Sequence, residues 1–298
     1  NMDELWVTDH ALAPTQIQGL ILSNDPNVRA IPLGNLFDDA AGSALETAVA
    51  TDGFGATAAP SDLGVARVVR GLSGSIDITG GGLLFDFGNV GANEFGYGSV
   101  LNDESYPGYS GIRTEGSQLV NDVRMEEGIG MHANHLVTFN LDDIHAAGDF
   151  SDSEWFRFLV DRAGLNDSVF SSDAASVHTI ALVSDESGVL AGYIQGQWVD
   201  VLYDSGVWQF DPSGIPGYLI SDGVYASFDI RLPEGARYLT LVATGAGVGA
   251  GTDWVNGDHA VFSGARLQVV IPEPSSLLLL GLGALGLAAW RRRGRRGY

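Results

Sequence analysis

The chain has 298 residues, no cysteine, and arginine as its whole basic complement, 15 basic residues standing against 37 acidic ones for a net charge of −22. Five arginines crowd into 291–296, so residues 1–270 hold 10 arginines against 36 acidic residues, a balance of −26. A body this acidic repels a phosphate backbone, which sets nucleic-acid binding aside, and the missing cysteine removes disulfide frameworks, thiolate zinc sites and cysteine nucleophiles together. With 45% hydrophobic and only 17% charged residues, the chain can bury a core, and its length suits about one to three domains.

The opening Asn1-Met2-Asp3-Glu4 is acidic, not a basic stretch followed by an apolar run, so an export signal is expected upstream of it. Residues 2–8 alternate as a strand around Leu5, Trp6 and Val7. Residues 13–20 follow as a short helix, with Pro14 early in it, where its missing donor costs nothing. The run from Asn1 to Leu20 resembles the closing strand and helix of laminin-G-like, concanavalin-type jelly rolls. That resemblance implies that residues 1–24 are the C-terminal remnant of such a sandwich; the alternative is a plain leading strand and helix of the next domain. Residues 25–60, rich in Asn, Asp, Ala, Gly and Pro, read as a linker with a short helix at 40–50.

From residue 61 to 270 the pattern changes to short β-rich runs separated by turn residues. Strands are expected at 65–69, 75–79, 83–87, 136–141, 156–160, 179–184, 199–203, 225–232, 238–243 and 264–270. Without helices between them, these runs argue for an all-β antiparallel sandwich and against a βαβ sheet.

Several segments of this region occur in a telling order: Gly128-Ile129-Gly130-Met131-His132-Ala133, Leu202-Tyr203-Asp204-Ser205-Gly206, and Gly257-Asp258-His259-Ala260 with Ala265-Arg266-Leu267. Together they resemble the NPCBM family of carbohydrate-binding modules, a galactose-binding-like jelly roll, best over 97–270. The chain departs from that family's closing pattern at Val261, Phe262 and Gly264, where two acidic groups are gone. Insertions at 151–163 and 184–197 stretch it further. The resemblance implies a glycan or polysaccharide partner and no organic cofactor. Such folds often hold one structural calcium, but no segment here has the regular Asp-x-Asp-x-Asp-Gly loop, and no ligands are assigned.

Sugar recognition needs an aromatic face for C–H groups and fixed polar groups for hydroxyls. Trp254 with Asp253, Asn256 and Asp258 supplies both in one Gly-rich loop and is the first choice. Trp208, read as lying in the loop after Gly206, is a further aromatic, with Tyr106 and Tyr109. For each, the alternative is a ring folded back onto the sandwich edge. His132 and His259 are expected to meet at one end of the sandwich, either contacting ligand or hydrogen-bonding loop backbone to lock strands. His132 and His135, three apart at the start of a strand, do not share a face there, which argues against a zinc site.

Catalytic motifs are missing: no Gly-x-Ser-x-Gly elbow, no phosphate loop with its lysine, no His-Glu-x-x-His. Glu126-Glu127 and Asp142-Asp143 are adjacent pairs, read as turn acids that cannot straddle a sugar.

The last 28 residues hold Pro272-Glu273-Pro274, an uncharged Leu/Gly/Ala run and the arginine cluster. In that order they resemble the PEP-CTERM sorting signal. The resemblance implies a secreted protein of a Gram-negative bacterium, held transiently in the inner membrane through 275–290 by a short transmembrane helix. An exosortase would then cut near Pro272, Glu273 and Pro274, releasing the protein to the cell surface or extracellular matrix. The function expected is non-catalytic glycan adhesion. The alternatives are a structural envelope or matrix protein, or an accessory region of a glycoside hydrolase whose catalytic domain lies upstream.

Overall fold

The computed structural model describes residues 21–22, 29–36, 56–57, 64–70, 72, 74–87, 101–102, 118–120, 123–125, 128–147, 155–165, 176–215, 219–220, 225–245 and 259–270. Two large antiparallel sheets and one small sheet are stacked. At the centre of the first lies the long strand Trp155–Leu165, with Tyr225–Arg231 on one side. On the other side run His259–Ser263 and Arg266–Val270. Ser263 faces Arg162 and Arg266 faces Leu159, so the register is unbroken and 259–270 acts as one strand kinked at Gly264. Gly128–His132 and Arg29–Pro32 pair end to end along its outer edge.

The second sheet runs Gln197–Val199, Val189–Ile194, Ser176–Ser184, Tyr238–Gly245, His135–Asn140, Val65–Arg70 and Ala56–Thr57. Its strands alternate between two cores. Val137, Phe139, Ala181, Val183, Leu239 and Leu241 face the first sheet, meeting Phe158, Phe228, Phe262 and Leu267. Leu136, Ile180, Leu182 and Val242 point the other way, onto Ile78, Leu83 and Phe85. Both faces of these strands are therefore buried, which is why they read as near-continuous apolar runs, not as an alternation.

The cover on that outer face is the third sheet, Val201–Asp204, Val207–Phe210, Leu84–Asp86 and Ser75–Asp77. Its loop is fixed by polar groups as well. Thr138 Oγ1 donates to the Ile78 carbonyl at 2.5 Å and lies 2.9 Å from Thr240 Oγ1, so these buried hydroxyls are satisfied.

Several expectations are corrected. Arg29–Pro32, within the stretch that composition assigns to a linker, is a strand of the first sheet. Leu33 and Leu36 beyond it are buried, and the Leu33 amide donates to the Ala265 carbonyl at 2.9 Å. The stretches 151–163 and 184–197, expected as insertions, hold most of the core strand Trp155–Leu165 and all of Val189–Ile194. The single strand expected at 199–203 is two, because Asp200 breaks it and the chain changes sheet there. Asp142 and Asp143 lie in the first turn of a short helix, Leu141–Ala147. Asn140 caps it, its side-chain oxygen accepting from both amides, and acids in that first turn favour the helix dipole.

The expected helix at 40–50 and strand at 2–8 lie outside the described residues, as does everything from residue 271 onward, including the expected transmembrane helix. Among the described residues no helix is long and apolar enough to cross a membrane.

Candidate functional site

His132 and His259 do meet. They are directly opposed across the pair Gly128–His132 and His259–Ser263, with rings T-shaped at 89° and centroids 4.7 Å apart. Beyond His132, the Ala133-Asn134 turn carries the chain from the first sheet to the second, with Asn134 at φ 65°. His135 then begins the next strand, its ring 6.4 Å from that of His132. A carbonyl can only accept, so Nδ1 of His132 and Nδ1 of His135 both donate to the Ala133 oxygen, at 3.2 and 3.3 Å. The Asn134 amide donates to the Ala243 carbonyl at 2.6 Å, tying the turn to the end of Tyr238–Gly245.

All three rings are buried. Burial pushes His132 down to about 4, against a smaller opposing effect of its bond to Ala133. Burial, with repulsion from His132 and His135, pushes His259 down to about 3. Neutral imidazoles are metal ligands in principle, yet among the described residues no three of His, Asp, Glu or Cys are grouped to hold a metal ion. The cluster makes a buried floor on which the chain turns between the sheets. From it the 246–258 connection departs, joining Gly245 to His259. Asp253, Trp254, Asn256 and Asp258 belong to that connection and lie outside the described residues. Tyr106, Tyr109, Pro272, Glu273 and Pro274 lie outside them too.

Trp208 is placed differently from the sequence reading. It lies within the strand Val207–Phe210, half-buried, and packs on the second core. Its indole covers Gly188, where any added Cβ would stand 2.5 Å from Cζ2. The exposed ring here is Tyr203, its cross-strand partner, 62% accessible and stacked on Trp208 with centroids 4.8 Å apart. The sequence signal for it is its place two residues before the Ser205-Gly206 turn.

This aromatic pair and the histidine floor sit at opposite ends of the sandwich. Gly188 adjoins Ser184, which faces Tyr238, whereas the histidine turn bonds to Ala243 near the other end of the same strand. Five steps from Tyr238 to Ala243 span roughly 17 Å at ~3.3 Å per residue, too far for one sugar ring to touch both.

Gly264, where the resemblance would put an acid, sits at φ +64°, and a side chain there would run into the Asp161 carboxylate. Asp161 is itself held by Arg266, whose guanidinium lies 2.9 Å from it and also donates to the Gly264 carbonyl at 2.8 Å.

Residues 270–293 match the PEP-CTERM protein-sorting motif. No curated protein matches the chain. Among solved structures, the chain is similar to the CBM51 module from Clostridium perfringens GH95 in complex with methyl-galactose. That match has 17% identity and a TM-score of 0.35, over 58% of this chain and 89% of that one. It is also similar to the M60 catalytic domain with two CBM51 domains of Clostridium perfringens ZmpB, at 20% identity and a TM-score of 0.36 over 13% of that chain. A further match is the CBM51-2 domain of ZmpB in complex with GlcNAc, with the INT domains. It has 19% identity and a TM-score of 0.31 over 28% of that chain.

Proposed function

We propose that this chain is an exported, surface-sorted glycan-binding protein that holds its ligand without catalysis. The observation that carries the reading is the buried histidine floor at the foot of the 246–258 connection. His259 and His132 lock two strands of the first sheet there, giving the loop a fixed base. In this reading Trp254 supplies a stacking face, and Asp253, Asn256 and Asp258 supply hydroxyl partners. His132 and His259 act in this reading as positioning residues beneath the ligand, not as contacts to it. A loop with a preordered base loses less entropy when it closes on a sugar.

The tail supports export. The sorting motif begins at the end of the last core strand, Arg266–Val270, so the segment that an exosortase reads follows the folded body with one residue between. In this reading the exosortase recognises Pro272, Glu273 and Pro274, residues 275–290 hold the chain in the inner membrane of a Gram-negative cell, and cutting releases the body to the surface. A mature protein shorter than the full chain by the mass of its tail would support that step, and an unshortened exported protein would overturn it.

Retention of the full chain on immobilised galactose, GlcNAc and neutral polysaccharides tests the binding. A cooperatively folded protein retained by none of them defeats the reading. Trp254→Ala is expected to lower retention at least about tenfold, as loss of a central aromatic anchor does.

A further inference from the structure

We propose that Tyr203, stacked on Trp208, is a second sugar-binding platform at the opposite end of the sandwich, making the protein bivalent toward neutral glycans. The proposal rests on the glycan-binding reading above and extends it to a surface which that reading leaves unused.

The platform is built, not incidental. Trp208 is fixed on three sides: by strand pairing with Phe85, by the second core beneath it, and by Gly188, which leaves no room for any side chain. Tyr203 lies over this immobile indole, tilted 44° at 4.8 Å, and yet is 62% exposed. A large ring held still but left in water is the arrangement that takes the C–H face of a pyranose at small entropic cost.

The turns next to Tyr203 and next to Trp208 carry polar groups. The Ser205-Gly206 turn, with both residues at positive φ (50° and 90°), brings the chain back directly after Tyr203 and leaves Asp204 exposed. Ser205 Oγ donates to Asp204 Oδ1 at 3.1 Å, which orients the carboxylate. On the indole side, the 185–188 turn is tightened by Asp185 Oδ1. That atom accepts from the Ser187 amide at 2.6 Å, the Ser187 hydroxyl at 2.7 Å and the Gly188 amide at 2.8 Å. An exposed ring supported from beneath suits the C–H face of a sugar, and 36 acidic residues in the body disfavour an anionic one. A neutral pyranose is the ligand class that satisfies both constraints.

With two sites on one chain, binding to a polymer gains from effective concentration, about 10²–10⁴-fold where both engage. The test uses the full chain with methyl-galactose and GlcNAc as monosaccharide probes, and a neutral polysaccharide column for avidity. The wild type is expected to bind two equivalents of one of these sugars. Tyr203→Ala should leave one equivalent and weaken column retention at least tenfold, while Tyr203→Phe, which keeps the ring, should retain both. Tyr203 is mostly exposed, so its loss leaves the folded state intact, and an unchanged unfolding midpoint verifies this.

If Tyr203→Ala leaves stoichiometry and retention unchanged while Trp254→Ala removes all binding, the platform is overturned and the loop site stands. If Tyr203→Ala removes all binding while Trp254→Ala removes none, the platform stands and the loop site falls. If the folded wild type binds no sugar, both readings fall.

Discussion

Acidification is the perturbation that most directly interrogates the histidine floor. A histidine whose folded pKa lies below its unfolded value of 6.5 binds its proton first in the unfolded chain. The stability it contributes is therefore complete above 6.5 and lost as pH falls towards the folded value. His132 near 4 and His259 near 3 place that window between about 6.5 and 3. At pH 5 both would be largely protonated in the unfolded chain and neutral in the folded one. At ~1.4 kcal/mol per pH unit per group, the two together should cost about 3–4 kcal/mol between pH 7 and pH 5. That is a large share of the 5–15 kcal/mol typical of a folded domain.

The assay is urea unfolding at pH 7, 6 and 5, on the wild type and on His132→Gln. The variant removes one titrating ring and relieves the repulsion that His132 exerts on His259. It should therefore lose about half of the pH dependence, near 2 kcal/mol, whatever its stability at pH 7. His178, also lowered by burial, contributes in the same direction in both proteins and cancels in the comparison. Identical slopes of stability against pH in the two proteins would refute the reasoning, because they would mean that the pair does not titrate across this window.

Two further outcomes follow from backbone geometry and from a surface ion pair. Gly196→Ala should destabilise by about 2–4 kcal/mol in thermal or urea unfolding, because the residue sits at φ +75° and its new Cβ would strike the Ser227 carbonyl, a backbone atom with little freedom to yield. Gly206→Ala, at φ +90° with nothing within 4 Å, should cost only about 1–2 kcal/mol of strain, so equal losses would deny that the Gln195-Gly196 turn closes one edge of the sandwich against the other. Asp229→Asn removes the charge and one of the two oxygens that accept from Arg157 at 2.5 Å, yet both side chains are around half exposed, so the loss should stay within about 1 kcal/mol and shrink in high salt.

The strands were legible where one period governs them. Tyr225–Arg231 alternates in exposure residue by residue, and its bounds lie within a residue of expectation. What the sequence hid has identifiable causes. Gly128–His132 is absent from the expected strands, since its two glycines lower strand propensity, yet all five positions are buried in the sheet. His259–Ser263 was missed because Gly264 resembles a strand boundary, whereas the left-handed kink leaves the pairing register with 155–165 unbroken. The helix at Leu141–Ala147 is too short for a helical period to show, and its cap, Asn140, ends the preceding strand. The third sheet was invisible because its parallel pair joins Val207–Phe210 to Leu84–Asp86 across more than a hundred residues.

The site divides along the same line. That His132 and His259 meet is readable, since two family-like segments each carry a histidine; that they are a buried floor follows only from packing on both sides. The loss of an acid at 264 shows how a position can mislead when read alone. In the fold, the space in front of Gly264 holds the Asp161 carboxylate, brought there by the facing strand and tethered by Arg266. An aspartate at 264 would need a left-handed backbone and would crowd Asp161, so glycine there is what the local packing requires. The negative charge on this stretch of the first sheet is carried by Asp161, about a hundred positions earlier in the chain.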